Sequence, residues 1–338
     1  MYGRRRRRAV LVVALALLLV YAAFHATRHP LDNVTQVGGD QHRAYVSAVR
    51  WPEQGQAALV LGNGEPAASP DERPVPIASL AKVMTAYLTL ERYPLSGAQD
   101  GFTITVTAAQ AQLSGTQDQS VVPVRAGERL SERQLLEALL IPSGNNIAQI
   151  LAAQVAGSGT RFIAEMNAEA HALGMDQTVY TDPSGFDPST VSTAADQLRV
   201  FQRAMRFPVF RQIVSMGSVT LPVAGTVTNF NPLIGDGYAG KTGSDSAAGG
   251  CLAFFTHVTV DGHGETAAGV VLGQGQGSNT SLILAAAGEA AQQLVESVAP
   301  ASAGRTIAPP SAADAPRGVA GSYGQPLLLA PRRRGARP

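Results

Sequence analysis

Lysine is almost missing from this sequence, since only two of its 26 lysine and arginine residues, Lys82 and Lys241, are lysine. Arginine therefore serves wherever positive charge alone is needed. Because an amine can lose its proton and act as a base whereas a guanidinium cannot, a retained lysine indicates a task that arginine cannot perform. The two lysines are thus the first candidate functional residues of the chain.

Cysteine and paired histidines are equally scarce. The single cysteine, Cys251, excludes an intramolecular disulfide and a thiolate metal cluster, and the six histidines show no close ligand pairing. Cys251 lies in the apolar run 251–255, which favours a buried strand residue over a nucleophile. The sequence predicts neither a metal site nor a cofactor.

Charge is sparse in the body of the chain and concentrated at its ends. Charged residues make up 15% of the sequence and the net charge is +1, but five arginines fall at 4–8 and four more at 332–334 and 337. Without those nine arginines the net charge becomes −8. An acidic body lacks the basic face of a nucleic-acid-binding protein, so we expect no nucleic-acid partner.

The two ends of the chain differ from its body. Five arginines followed by the apolar run Ala9–Phe24 make residues 1–28 a membrane anchor or a signal peptide. Small-residue cleavage pairs are missing, which favours an uncleaved anchor, with the arginines inside and the body outside the cell membrane, over a secreted form. Residues 29–43 are a predicted linker, and 299–338, rich in Ala, Pro and Arg, a predicted disordered tail.

The body, residues 44–298, carries both strand and helix patterns. Apolar periodicity predicts strands at Ala44–Val49, Gln56–Leu61, Cys251–Val260 and Thr266–Leu272. It predicts helices beginning at Ser79 and covering Ser131–Leu140, Gly159–Leu173, Ala194–Met205 and Thr280–Val298. Strands near both ends with helices between them indicate an α+β fold, in which an antiparallel sheet is built from both chain ends, is flanked by helices and receives a helical insertion.

Ser79 and Lys82 form the first catalytic candidate. Residues three apart on a helix share one face, so the Lys82 amine can reach the Ser79 hydroxyl. A serine hydroxyl is a poor nucleophile until a base takes its proton, and Lys82 can do so if burial or a nearby cation keeps it neutral. The pattern alone is weak, since a capping serine beside an exposed lysine would look the same.

Two further short segments carry candidate residues. Residues 141–146 place Ser143 and Asn145 in a predicted Pro/Gly loop, and Lys241-Thr242-Gly243 lies where a strand is predicted to begin. The glycines there would let the backbone approach a ligand closely. Each segment taken alone also fits an ordinary turn or strand end.

The three segments in this order resemble the signatures of the penicillin-binding-protein and serine β-lactamase superfamily. Residues 76–86, 140–148 and 182–187 narrow the resemblance to the low-molecular-mass D-alanyl-D-alanine carboxypeptidases. The polar Ser244-Asp245-Ser246 departs from the aromatic often found after the third signature. No arginine between Lys241 and Arg305 offers a further carboxylate clamp.

The resemblance implies acyl transfer on peptidoglycan stem peptides, with β-lactam antibiotics as inhibitors. Catalysis would fall to Ser79 as nucleophile, Lys82 as base and Ser143 as proton relay. Substrate binding would fall to Asn145, Lys241, Thr242 and Gly243, with the backbone N–H groups of Ser79 and Ser244 as the oxyanion hole. Lys82 would be neutral and Lys241 charged, because two nearby amines push their pKa values apart.

Two alternatives stay open. A β-lactamase would share the fold and the nucleophile, but the class A enzymes use a loop glutamate that the stretch 180–195 lacks. A wall-binding scaffold with a dead site would not need the intact candidate residues. Fluorescent penicillin discriminates the three: stable labelling for a peptidase, rapid turnover for a lactamase and no labelling for a scaffold.

Overall fold

The computed structural model describes residues 49–115, 119–260 and 262–299. The predicted anchor or signal, the linker, the tail and all of the predicted strand Ala44–Val49 except Val49 lie outside the described residues, so those predictions stand untested. The described residues all belong to one compact unit of the chain.

The fold alternates short strands with helices before a final set of three long strands. The helices are α1 (Ala81–Arg92), α2 (Ala108–Gln112), α3 (Glu132–Leu140), α4 (Asn145–Ala156), α5 (Gly159–Ala172), α6 (Ala194–Ala204), α7 (Pro208–Val214) and α8 (Thr280–Val298). The strands are β1 (Gln56–Leu61), β2 (Ala67–Ala68), β3 (Val75–Pro76), β4 (Thr103–Thr105), β5 (Arg129–Ser131), β6 (Val191–Ser192), β7 (Ser218–Leu221), β8 (Gly225–Thr228), β9 (Ala239–Asp245), β10 (Gly249–Val260) and β11 (His263–Gln274).

The main sheet has five strands in the order β2-β1-β11-β10-β9, and each strand runs antiparallel to the strands beside it. β1 comes from the first part of the body and pairs with β11 from its end, with Leu59 opposite Gly269. The prediction of an antiparallel sheet assembled from both chain ends is therefore confirmed. The helices α1 to α7 form the insertion between them.

Both faces of the sheet are covered, so its strands lack a polar face. Ala57, Leu59 and Leu61 pack on one side in a cluster with α8, whereas Ala58 and Val60 pack on the other side with the helical insertion. Every residue of β1 is buried as a result. Cys251 is also fully buried, in β10 as predicted, and burial raises the pKa of its thiol to about 12.

Most predicted helices are found within one or two residues of their predicted ends, but α4 was missed. The sequence predicts a loop through Asn146, whereas α4 begins at Asn145. Ser143 takes a left-handed conformation with φ 63°, and Gly144 caps the helix in an extended one. These two residues connect the end of α3 to α4, and the side chains of Ser143 and Asn145 each contact one of the two lysines.

Helix α3 begins with a capping box and an unusual buried acid. The Ser131 hydroxyl accepts from Gln134 N–H, while Gln134 Oε1 accepts from Ser131 N–H. Glu132 follows the cap and is 1% exposed, and its Oε1 has no hydrogen-bond partner among the described residues. Burial, the largest cause, raises the pKa of this carboxyl to about 7.

We expect Glu132→Gln to raise the melting temperature at pH 8 by about 2 °C or more, with a smaller gain at pH 5. The pKa of this carboxyl is about 7 in the folded protein against 4.5 in the unfolded chain, so the folded protein loses stability as the pH rises from 4.5 to 7. Glutamine removes that loss. Thermal melts at both pH values measure it, and the exposed Glu65→Gln serves as control. Equal gains at pH 5 and pH 8 would contradict the assignment.

Candidate active site

The nucleophile candidate lies in a tight turn at the start of α1. Residues Ala78–Leu80 form a 3₁₀ turn that leads into the α-helix at Ala81, so the α-helix itself begins two residues later than predicted. Ala78 has the left-handed φ of 45°, and Leu80 is fully buried. The turn is thereby fixed to the core while Ser79 is left half-exposed at a cavity wall.

Lys82 lies one turn after Ser79 and is completely buried. Its Nζ lies 2.7 Å from Ser79 Oγ, 2.6 Å from Asn145 Oδ1 and 2.9 Å from the Ser184 carbonyl oxygen. The amide and carbonyl oxygens can only accept, whereas the serine hydroxyl can also donate. A neutral amine has two N–H groups, so both are used by the two acceptors and its lone pair is left for the Ser79 hydroxyl.

The electrostatics of the site favour that neutral amine. Burial is the largest cause that lowers the pKa of Lys82 well below its usual range, and the positive charge of Lys241 lowers it further. The negative charge of Asp182 acts in the opposite direction. An amine whose pKa is lowered in this way can accept a proton from a neighbouring hydroxyl.

The second lysine lies across the cleft on β9. Lys241 Nζ donates to Ser143 Oγ at 2.9 Å and to the Thr242 carbonyl at 2.7 Å. Burial lowers the pKa of Lys241 to about 7, so near neutral pH this amine is only partly protonated, whereas the resemblance implies a charged lysine. An anion beside an ammonium group raises its pKa, and a bound carboxylate would therefore favour the charged form.

Strand β9 reaches the nucleophile through Gly243. A Cβ atom on this glycine would stand 2.8 Å from the Ile77 carbonyl oxygen and 3.1 Å from Leu80 N. The glycine was expected to admit a ligand. In the structure, the lack of a side chain at Gly243 lets the 3₁₀ turn that carries Ser79 pack closely against β9. Gly243 also lines part of the cleft.

Two adjoining cavities form the cleft. The larger, of about 570 Å³, is lined by Ser79, Asn145 and Ser244, and the smaller, of about 120 Å³, by Ser79, Ser143, Thr242, Gly243 and Ser244. With the contacts of Lys82 and Lys241, the structure brings together every residue of the predicted site. Whether the Ser79 and Ser244 N–H groups act as an oxyanion hole stays a prediction.

Several cleft residues were missed by the sequence reasoning. Gln119 Oε1 accepts from Asn145 Nδ2 at 2.9 Å, which leaves Asn145 Oδ1 to face Lys82, and the Ser120 carbonyl accepts from Asn145 N. Phe186 and Phe230 are about half exposed and line the two cavities. None of these residues belongs to a recognisable motif, and the only signal for Phe186 was its place in the family-like stretch 182–187.

Comparison with known families decides the relationship. The family model for D-alanyl-D-alanine carboxypeptidase matches residues 67–275, more than half of the chain. The chain belongs to the D-alanyl-D-alanine carboxypeptidase family. The resemblance predicted from the three motifs is thus confirmed at the level of the family.

Curated relatives of this family member carry two kinds of name. The D-alanyl-D-alanine endopeptidase of Pseudomonas aeruginosa is 32% identical over 194 residues, which cover 54% of this chain and 60% of that protein. The D-alanyl-D-alanine carboxypeptidase DacB2 of Mycobacterium tuberculosis is 35% identical over 175 residues, covering 51% of this chain and 57% of that protein. The chain thus spans less than two thirds of the length of these relatives.

Solved structures agree on the fold. The DD-transpeptidase of Streptomyces K15 superposes with a TM-score of 0.62 at 24% identity, covering 74% of this chain and 99% of that one. At this identity the likeness shows the fold alone. In the described ranges, none of the helices combines the length and the apolarity needed to cross a membrane, and no three His, Cys, Asp or Glu side chains form a group that could hold a metal ion.

Proposed function

We propose that this family member is a serine-type D-Ala-D-Ala carboxypeptidase that removes the terminal D-Ala from peptidoglycan stem peptides. The observation that carries the proposal is the surroundings of Lys82. Lys82 Nζ lies within 2.9 Å of three oxygens, and two of them, Asn145 Oδ1 and Ser184 O, can only accept, so a neutral amine that donates to both has its lone pair left for Ser79 Oγ. A buried amine of this kind beside a serine is the arrangement that nucleophilic catalysis requires.

The first half of the reaction forms a tetrahedral intermediate on Ser79. Ser79 Oγ attacks the carbonyl carbon of the penultimate D-Ala while its proton passes to Lys82 Nζ. The oxyanion that develops is held by the backbone N–H groups of Ser79 and Ser244. Lys241 and Thr242 hold the terminal carboxylate, and Asn145 positions the substrate and Lys82.

The second half releases both products. The C–N bond breaks as Ser143 gives its hydroxyl proton to the departing amine and takes up the proton held by Lys82, so D-Ala leaves, Lys82 is neutral again and an ester to Ser79 is left. The 2.9 Å contact between Ser143 Oγ and Lys241 Nζ supports this role, because a cation beside the hydroxyl stabilises its deprotonated form. Water then hydrolyses the ester. A β-lactam ring that acylates Ser79 in the same way inhibits the enzyme.

A β-lactamase fits less well. The stretch 180–195 contains no glutamate, and the carboxylate oxygens of Asp182 are occupied by N–H and O–H donors of its own loop. Endopeptidase action on a cross-link is the second candidate, favoured by the name of the Pseudomonas aeruginosa relative. The open cleft of about 570 Å³ also offers room beyond a terminal D-Ala.

Purified protein should release free D-Ala from a synthetic peptide that ends in D-Ala-D-Ala, and it should be stably labelled by fluorescent penicillin. A cross-linked muropeptide dimer assayed in parallel separates carboxypeptidase from endopeptidase action. Rapid turnover of the penicillin would identify a lactamase instead. Absence of both D-Ala release and labelling would contradict the proposal.

The proposed location is outside the cytoplasm, where the substrate lies. The proposal is supported by the five arginines at 4–8, followed by the apolar run Ala9–Phe24. Fractionation of cells that express the full chain tests it, because an uncleaved anchor keeps the protein in the membrane at its full mass. A smaller product in the culture medium would indicate a cleaved signal peptide.

A further inference from the structure

Asp182 lies at the centre of a ring of hydrogen bonds within residues 182–190. Its Oδ1 accepts from the Ser184 N–H at 2.6 Å, the Ser184 hydroxyl at 2.5 Å and the Gly185 N–H at 2.8 Å. Its Oδ2 accepts from the Asp187 N–H at 2.9 Å and the Thr190 hydroxyl at 3.4 Å. A single carboxylate thus fixes the conformation of the segment 182–187, which we call the Asp182 loop.

The Asp182 loop packs against Lys82 and against the turn that carries Ser79. Thr85 Oγ1 donates to the Pro183 carbonyl at 2.6 Å, and Lys82 Nζ donates to the Ser184 carbonyl at 2.9 Å. Two side chains of α1 are thus hydrogen-bonded to adjacent carbonyls of the loop. Gly185, with φ 77°, comes so close that a Cβ atom would stand 1.8 Å from the Ala78 carbonyl oxygen. The Asp182 loop therefore packs directly against the turn that carries Ser79.

The contact with the Ser184 carbonyl decides which way the Lys82 amine points. Asn145 Oδ1 takes one N–H, and the Ser184 carbonyl takes the other. If that carbonyl turned away, the amine could rotate and present an N–H, rather than its lone pair, to Ser79. The carbonyl keeps its direction because the next N–H groups along the loop are fixed by Asp182.

We propose that Asp182 is a positioning residue for the acylation step, acting through the Ser184 carbonyl to hold the Lys82 lone pair toward Ser79. The proposal rests on the proposed function. Asp182 does not act as a base for the attacking water, because both of its oxygens are already occupied by loop donors.

A second consequence of Asp182 is electrostatic. The charged groups that face Lys82 are Lys241 on β9 and Asp182 in the loop, and they act in opposite directions on the Lys82 pKa. Asp182 raises this pKa against the effects of burial and of Lys241. Loss of the negative charge therefore lowers the Lys82 pKa further, which a merely structural role of the loop would not do.

The test compares Asp182→Asn with Thr85→Val in the purified protein. The second-order rate constant of labelling by fluorescent penicillin is measured from pH 6 to 10. For Asp182→Asn we expect a plateau lower by roughly tenfold, since a small misplacement of a catalytic group is costly. We also expect the acid limb to move by about half a pH unit or more toward lower pH. Thr85→Val loosens the loop without changing its charge, so its plateau falls while its limb stays in place.

Two further variants keep the test sharp. Asp176→Asn removes the same charge from an exposed position and should behave as wild type. Ser184→Ala removes one hydrogen bond to Asp182 but keeps the charge and the carbonyl, so we expect a loss of about threefold with an unmoved limb. The Ser184→Ala variant tests the role of Asp182 if the Asp182→Asn protein shows no cooperative thermal transition.

The outcomes separate this inference from the proposed function. If the wild-type protein is labelled and a folded Asp182→Asn variant shows the same plateau and the same acid limb, the role of Asp182 is overturned. The proposed function then still stands. If Asp182→Asn does not fold, a wild-type rate constant in Ser184→Ala overturns it. Absence of labelling in the wild-type protein overturns the proposed function and this inference with it.

Discussion

Replacement of Ser79 by alanine is expected to abolish covalent labelling by penicillin and to lower the rate of D-Ala release by at least about 10³-fold. The loss is this large because the nucleophile cannot be supplied by another group, and removal of one member of a catalytic unit costs nearly as much as removal of all. Ser79 is half-exposed and its hydroxyl contacts Lys82 Nζ, so alanine leaves the core intact. Intact-protein mass spectrometry after incubation with penicillin measures the adduct.

A matched serine shows that the effect belongs to the site. Ser189 is exposed and lies in the segment beside the cleft, and Ser189→Ala should be labelled as efficiently as the wild type. Both variants should melt within about 2 °C of the wild type, as is usual for substitutions away from the core. A stable penicillin adduct on the Ser79→Ala protein would remove Ser79 from its assigned role.

Lys82→Arg is expected to be as inactive as a variant without any base. The guanidinium is not deprotonated in proteins, so it cannot take the proton of Ser79. It would also bring a permanent charge to a position that is fully buried and where burial already favours the neutral amine. The rate constant of penicillin labelling should fall by roughly 10³-fold or more, in line with loss of a catalytic base from a nucleophile–base pair.

Because arginine is larger than lysine, a second variant separates chemistry from packing. Lys82→Met fits about the same space but leaves Asn145 Oδ1 and Ser184 O without their donor, so it should melt below the wild-type temperature with a cooperative transition and label as poorly as Lys82→Arg. Lys241→Arg is the matched control, since a fixed cation is all that its assigned role requires, and it should retain measurable labelling. Activity of Lys82→Arg near that of the wild type would refute the assignment of the base.

Local features of the sequence predicted most of the helices and half of the site. The spacing of Ser79 and Lys82 is one helical turn, and a serine followed three residues later by a glutamine marks the start of α3 at Ser131. Such signals depend on neighbours along the chain. The pairing of Lys82 with Asn145, 63 residues away, was inferred from the resemblance instead, since no local pattern encodes it.

The parts that could not be predicted depend on tertiary contacts. Gln119 contacts Asn145 in a segment whose Val122 N–H and carbonyl are both hydrogen-bonded to the Asn146 side chain. In the sequence, Asp182 is only the first residue of the family-like stretch 182–187, and its hydrogen bonds to Ser184, Gly185 and Asp187 exist only in the folded loop. Helix α4 was hidden by the Pro-Ser-Gly run that precedes it, which is typical of a turn and here also starts a helix.

The pairing of β1 with β11 has a consequence for how this protein comes into being. In the part of the chain made before β9, the described structure gives β1 only the two residues of β2 as a partner. Its full-length neighbour arrives near the end, where Gln274 Nε2 donates to the Gln54 carbonyl 220 residues back. Contacts so distant in sequence form slowly and only after the intervening chain exists. Until β11 is present, β1 is therefore not joined to β10 and β9, and β9 carries Lys241 and Thr242 of the candidate site.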